Sequence, residues 1–189
     1  MDDVDAEIIA ALQRNRKYAG FFEWSADRDL AEHGVVESLA KSLDKRGELF
    51  FSDLKIRGRG NDPPDLEAVD AEGRRVAIEV TELVDGKVAH AHQVGRTWEV
   101  AEWKRDDFLV ALKTRLATKD AKFAKLEDGP YPGGYVVVVF TDETFLMWLA
   151  VEDHLKGQAF DGMPNISRAF LLLSYFPGKG YPYFELEVS

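Results

Sequence analysis

The spacing of apolar residues divides the chain into helical and extended segments. Apolar residues recur at helical intervals over 1–19 and again over 30–47, and this pattern predicts two helices. A much longer helical pattern covers 98–126. A further helix is predicted over 141–158, with Thr141 or the residue after it as its capping residue.

Shorter apolar or alternating runs, bounded by turn residues, predict six strands. The turn "AEGR" is short, so we expect the strands on either side of it to form an antiparallel hairpin. The run "YVVVVF" is continuously apolar, which is typical of a strand covered on both faces. The predicted strands are residues 48–58, 65–70, 75–83, 135–140, 169–176 and 183–188.

The order of these elements is helix, three strands, long helix, strand, helix and two strands, after the helix over 1–19. This order predicts an α/β fold with a mixed sheet and helices on its faces. The length of 189 residues and the absence of any linker of biased composition favour a single domain over 1–189.

Composition and charge narrow the class of protein. The chain has no cysteine, which excludes disulfides, thiolate metal sites and a cysteine nucleophile. Its net charge is −10, from 24 basic and 34 acidic side chains, so the chain as a whole does not attract nucleic acid. The acidic start and the short apolar runs predict a cytoplasmic protein with no membrane association.

Two carboxylates of the predicted hairpin are candidates for chemistry. Strand alternation places Glu79 on one face with Ala77 and Thr81, in the interior of the strand. Asp65 begins the preceding strand, so the hairpin can bring the two carboxylates together. Converging carboxylates favour a bound cation, and Mg²⁺ prefers such oxygen ligands. The alternative is that Asp65 caps a turn and Glu79 pairs with a surface Lys or Arg.

Charged residues within helical patterns add three further candidates. Lys119 falls inside the apolar stripe of the long helix, so it either snorkels to solvent or faces the carboxylates. Lys122 lies on the edge of that stripe. Glu37 flanks the buried stripe of the earlier helix, where it either is solvated or supplies a further carboxylate.

These features together resemble the PD-(D/E)xK nucleases of the restriction-endonuclease-like fold. The resemblance lies in "PPD", in the following strand with "IEVT", in a preceding helical Glu and in a long helix afterwards. The family's αβββαβ core corresponds to about 35–140, with 1–19 and 141–189 as additions.

The resemblance implies a set of metal ligands. Asp65 and Glu79 correspond to the acidic residues of the motif, and with the carbonyl of Val80 they would hold Mg²⁺ or Mn²⁺. Glu37 resembles the helical Glu that many members of the family carry. All four residues are therefore expected at the metal site.

The motif lysine is where this chain departs from the family. Thr81 stands at the position of the expected Lys. In some branches of the superfamily that lysine has moved to the following helix, where Lys119, or Lys122 as the second choice, would supply it.

The function implied is metal-dependent hydrolysis of phosphodiester bonds in nucleic acid, with DNA expected before RNA. Segment 102–125 carries seven basic and four acidic side chains, so a phosphate backbone has a place to dock, although a solvated helix explains the same pattern. The alternative is an inactive relative whose acidic surface binds a basic protein. A hydrolase of small phosphorylated molecules is a third reading, and a homodimer is left open.

Overall fold

The computed structural model describes residues 28–48, 51–58, 60–85, 102–143 and 145–189. Three α-helices lie in this part of the chain: α1 (Arg28–Asp44), α2 (Arg105–Asp120) and α3 (Trp148–Leu155). The strands are β1 (Ser52–Ile56), β2 (Leu66–Val69), β3 (Arg75–Glu82), β4 (Gly134–Thr141), β5 (Ala159–Phe160), β6 (Arg168–Leu173) and β7 (Tyr183–Val188). The helix predicted over 1–19 lies outside the described residues.

All seven strands form a mixed sheet in the order β1-β2-β3-β4-β6-β7-β5. Strands β1, β2 and β3 are antiparallel neighbours, whereas β3, β4 and β6 run parallel. Strand β7 returns antiparallel to β6, and the short β5 pairs with β7 in parallel. The predicted α/β class and mixed sheet are therefore confirmed.

Helices cover both faces of this sheet, and the alternation of β3 decides which residues each face receives. Val76, Ile78 and Val80 pack in the cluster that contains the buried side chains of α1. Ala77 and Leu83 pack in the opposite cluster, with the buried side chains of α2 and α3. Continuous burial of β3 follows from this coverage on both sides.

The carboxyl end of α2 is held in place by contacts with the sheet and its loops. The Tyr135 hydroxyl donates to the Lys119 carbonyl at 2.8 Å. The Asp120 carboxylate accepts from the backbone and side-chain amides of Asn165, at 2.9 and 3.1 Å. The Glu127 amide donates to the Pro63 carbonyl at 2.9 Å, which fixes the following loop against the turn before β2.

Two predicted helices differ in extent from those observed. Helix α2 occupies Arg105–Asp120, and a short 3₁₀ turn at Phe123–Lys125 follows it; residues 98–101 lie outside the described residues. The helix predicted over 141–158 begins only at Trp148. Thr141 ends β4 instead of capping a helix, because it pairs with Leu173 of β6 and its hydroxyl donates to the carbonyl of Leu83, the residue directly after β3.

The two residues of β5 were not predicted as a strand. Strand β5 pairs with β7 over Ala159–Phe160 alone, and a run of two residues is too short to show alternation.

Within the described part of the chain, no helix has both the length and the hydrophobicity that crossing a bilayer requires.

Candidate metal centre

The hairpin brings Asp65 and Glu79 to adjacent positions on β2 and β3. Leu66 pairs with Ile78, so the antiparallel register places the residue before Leu66 opposite the residue after Ile78. The Asp65 Oδ2 atom also accepts a hydrogen bond of 2.8 Å from the Val80 amide. Glu79 is fully buried, and Asp65 is 5% exposed, so both carboxylates lie within the fold.

Two lysines reach these carboxylates, Lys119 in the last turn of α2 and Lys122 directly after the helix. The Lys119 ammonium donates to Glu79 Oε2 and, at 3.3 Å, to Asp65 Oδ2. The Lys122 ammonium donates to the same Glu79 oxygen at 3.3 Å. Lys119 is only 6% exposed, so it faces the carboxylates and does not extend along the surface to solvent. The structure therefore brings Asp65, Glu79, Lys119 and Lys122 together.

The first turns of α1 close the cluster from the other side. The Arg28 guanidinium donates to Asp65 Oδ1 at 3.1 Å and to Glu32 Oε1 at 2.7 Å. Its Nη2 atom also lies 3.7 Å from an oxygen of Asp62, in the turn before β2. The cluster thus joins residues of α1, of the hairpin and of α2, which are distant in sequence.

Burial and mutual repulsion set the proton affinities of the carboxylates. The pKa of Glu79 is raised, first by burial and then by the neighbouring charge of Asp65, while the two lysines oppose the shift. The pKa of Glu32 is raised to about 6, again by burial and then by Asp65. Burial lowers the pKa of Lys122, but the attraction of Glu79 and Asp62 outweighs it and the net pKa is raised.

The donor atoms fit a hard divalent cation. One carboxylate oxygen from each of Asp62, Asp65 and Glu79 lies within 4.8 Å of the others. The second oxygen of Glu79, Oε1, is buried and has no hydrogen-bond partner among the described residues. A buried anionic oxygen without a partner is costly, and oxygen-only ligands are those that Mg²⁺ and Mn²⁺ prefer.

Glu37 is not part of this cluster. Its side chain is 51% exposed and pairs with Lys41 at 3.0 Å, one turn along the surface of α1. The α1 carboxylate that does reach the cluster is Glu32, whose side chain is 14% exposed. Glu32 precedes the buried Val35 and Val36 by three and four residues, so helical spacing alone places it in line with the apolar stripe.

Thr81 was predicted at the site and lies beside it, whereas Asp62 belongs to the cluster and was not predicted. Thr81 is half-buried, two residues beyond Glu79 and on the same face of β3. Lys119 of α2 supplies the ammonium group that this position lacks. Asp62 was not predicted, although it stands directly before the two prolines of "PPD". Val80 contributes its amide to Asp65, and a role for its carbonyl stays a prediction.

No protein-family model, curated protein or solved structure matches this chain. What the site can do chemically follows from its own geometry. Buried carboxylates pair with two lysines, and one buried carboxylate oxygen has no hydrogen-bond partner in the described part of the chain.

Proposed function

We propose that this protein is a Mg²⁺- or Mn²⁺-dependent nuclease of the PD-(D/E)xK superfamily, which hydrolyses phosphodiester bonds in nucleic acid. The observation that carries the proposal is the buried Asp65–Glu79 pair at the hairpin, bridged by the Lys119 ammonium. Burying two carboxylates and an ammonium group costs free energy, and such clusters with shifted pKa values are typical of functional sites.

The order of elements supports a restriction-endonuclease-like core. Helix α1, strands β1 to β3, helix α2 and strand β4 follow one another in the αβββαβ order of that fold. The central β3–β4 pair is parallel, and β1 to β3 form an antiparallel meander. On this proposal, α3 and strands β5 to β7 are additions to the core.

The chemistry follows from the donors present. Asp65 and Glu79 would hold the cation, with Asp62 as a third carboxylate within reach. A bound divalent cation polarises a phosphoryl oxygen and lowers the pKa of a bound water. Lys119 would place its positive charge where negative charge grows on the phosphate, as a water oxygen bonds to phosphorus and the ester P–O bond breaks.

The charge of the molecule favours a second candidate, a catalytically inactive protein that binds a basic partner. The net charge is −10, and the lysine ammonium groups already compensate the buried carboxylates without a metal. In this alternative Lys119 is a structural counter-ion, and the acidic surface does the binding. Metal-dependent cleavage separates the two candidates.

The decisive assay incubates the protein with plasmid, single-stranded DNA and RNA in Mg²⁺ or Mn²⁺, beside Glu79→Gln and Glu37→Gln. We expect the wild type and Glu37→Gln to cleave, because Glu37 lies outside the cluster. Glu79→Gln should lose more than about a hundredfold in rate, beyond the loss that an outer-shell partner causes. Thermal unfolding of each variant shows that it is folded.

Two results would overturn the nuclease proposal. One is the absence of cleavage by the wild type in either metal with every substrate. The other is cleavage by Glu79→Gln at the wild-type rate, which would trace the activity to another site or to a contaminant.

A further inference from the structure

Two of the three basic side chains in the cluster are exposed to solvent. The side chains of Arg28 and Lys122 are 51% and 34% exposed, whereas that of Lys119 is 8% exposed. Arg28 comes from α1 and Lys122 follows α2, so they flank the cluster from different elements. A ligand that approaches from solvent meets these two side chains first.

Asp62 lies between the two exposed cations. Its two oxygens are 3.7 Å from Arg28 Nη2 and 3.8 Å from Lys122 Nζ. Both distances exceed those of a hydrogen bond, so Asp62 compensates the two charges without binding either of them closely. One oxygen of the Asp62 carboxylate also lies within 4.8 Å of a carboxylate oxygen of Asp65 and of a carboxylate oxygen of Glu79. Asp62 can therefore serve either as the counter-ion of Arg28 and Lys122 or as a ligand beside the buried pair.

A divalent metal ion would reverse the sign of the net charge of the cluster. The cluster contains four carboxylates and three cations, a net charge of −1: Glu32, Asp62, Asp65 and Glu79 against Arg28, Lys119 and Lys122. A divalent cation brings this sum to +1. A phosphodiester carries one negative charge, so the cluster opposes it before the cation binds and attracts it afterwards.

We infer that Arg28 and Lys122 bind the backbone phosphate of a single-stranded nucleic acid, and that the Asp62 carboxylate offsets part of their charge while no divalent metal ion is bound. This inference rests on the proposed nuclease function and adds the substrate class and the side chains that meet the phosphate. With Asp62 as a ligand of a divalent metal ion, Arg28 and Lys122 would each lose one nearby negative charge and would attract the phosphate more strongly.

A single strand fits this site better than a duplex. Duplex DNA carries about one negative charge per 1.7 Å of its axis, and a protein of net charge −10 repels that array strongly. A flexible strand can present one phosphate to two cations while most of its charge stays in solvent. One bound phosphate contributes about −0.7 to the slope of log K against log salt for a single strand.

The test measures binding of fluorescently labelled oligonucleotides by anisotropy, in Ca²⁺ and in EDTA. Ca²⁺ takes oxygen ligands and allows binding to be followed without turnover, which separates this readout from activity. Single-stranded DNA, single-stranded RNA and duplex DNA are the three probes. Arg28→Ala, Lys122→Ala and Asp62→Asn are the variants, and Lys113→Ala is the control. Lys113 is exposed on α2 and has the same charge as Lys122, but no contact described for the cluster involves it.

We expect Ca²⁺ to strengthen single-strand binding by the wild type and by Lys113→Ala. Arg28→Ala and Lys122→Ala should each weaken it about tenfold. Each should also reduce the slope of log K against log salt, by no more than about 0.7, because the two side chains share one phosphate. Asp62→Asn should bind more tightly than the wild type in EDTA, because one negative charge beside Arg28 and Lys122 is removed. Arg28→Lys, which keeps the charge, should retain part of the affinity and guards against a folding defect in Arg28→Ala.

The inference is overturned if Arg28→Ala and Lys122→Ala bind the single strand as the wild type does, or if Asp62→Asn gains nothing in EDTA. Tighter binding of the duplex than of the single strand would overturn the substrate class. If cleavage still depends on Glu79 in these cases, the nuclease proposal stands without the inference. If the wild type neither cleaves nor binds in Ca²⁺, the proposed function itself has failed.

Discussion

Glu79 places a carboxylate at a fully buried position in the interior of a central strand. The nearby charge of Asp65 makes ionisation of Glu79 still less favourable, and its pKa is raised. The ammonium groups of Lys119 and Lys122 oppose this shift through a shared oxygen, Oε2. The stability of the native site therefore depends on keeping buried opposite charges in contact.

Removing the buried ammonium should destabilise the fold. Lys119→Met leaves Asp65 and Glu79 without their shared partner, and breaking a buried pair in this way costs about 3–5 kcal/mol. Urea unfolding measures the loss. The double variant Lys119→Met/Glu79→Gln should recover part of the lost stability, because the charge of Glu79 is removed together with its partner Lys119. A Lys119→Met protein as stable as the wild type would show that the ammonium is not the counter-ion.

Glu32 makes the stability of the folded state fall as the pH rises. The folded-state pKa of Glu32 is raised from 4.5 to about 6, by burial and then by Asp65, so the folded state binds more protons than the unfolded state between these values. Its contribution to stability is therefore present below pH 4.5 and is lost as the pH rises to about 6.

Glu32→Gln isolates this contribution. The difference in unfolding free energy, wild type minus Glu32→Gln, should fall as the pH rises from 4.5 to about 6. Chemical denaturation in EDTA at a series of pH values measures it without interference from metal binding. A difference that stays constant or rises over this range would contradict the raised pKa.

At the scale of the elements, the hairpin turn sets the register on which the site depends. The Asp70 Oδ1 atom accepts hydrogen bonds from the amides of Glu72 and Arg74, at 3.0 and 2.7 Å. These bonds fix the turn, and the register that follows places Asp65 opposite Glu79. A slip of one residue would move Glu79 to the face of α1 and separate it from Lys119.

The approach of β4 to β3 depends on Gly133, the residue directly before β4. A Cβ at Gly133 would lie 2.7 Å from a methyl group of Val76 and 2.9 Å from the Arg75 carbonyl oxygen. Gly133→Ala should therefore cost about 1–3 kcal/mol through overpacking. Gly60→Ala is the matched control, because a Cβ there meets nothing within 4 Å. Thermal or urea unfolding compares the two, and equal stabilities would contradict the close approach.

Local patterns in the sequence explain which elements could be predicted. Alternation in β3 and the apolar stripe of α2 are periodic, so both the buried carboxylate and Lys119 follow from them. The end of β4 could not be predicted, since Thr141 is typical of a helix cap and only its pairing with β6 and the Leu83 carbonyl shows that it belongs to a strand.

At the scale of the whole molecule, the site lies where distant parts of the chain meet. Arg28 comes from the start of α1, Asp62 from the turn before β2 and Lys122 from the residues directly after α2. No periodicity connects residues so far apart, and the sequence therefore predicted the hairpin pair but not Arg28, Glu32 or Asp62. The sequence predicted Glu37 at the site instead of Glu32 for the same reason. Only the packed structure shows which turn of α1 faces the hairpin.

Mn²⁺ binding, measured by electron paramagnetic resonance, tests the central claim that Asp65 and Glu79 hold a divalent cation. The account predicts that the wild type and Glu37→Gln bind Mn²⁺ equally well. It also predicts that Glu79→Gln binds it at least about tenfold more weakly, as expected when a ligand of a hard cation is replaced. Binding by Glu79→Gln that matches the wild type, or no binding by the wild type, would contradict the claim.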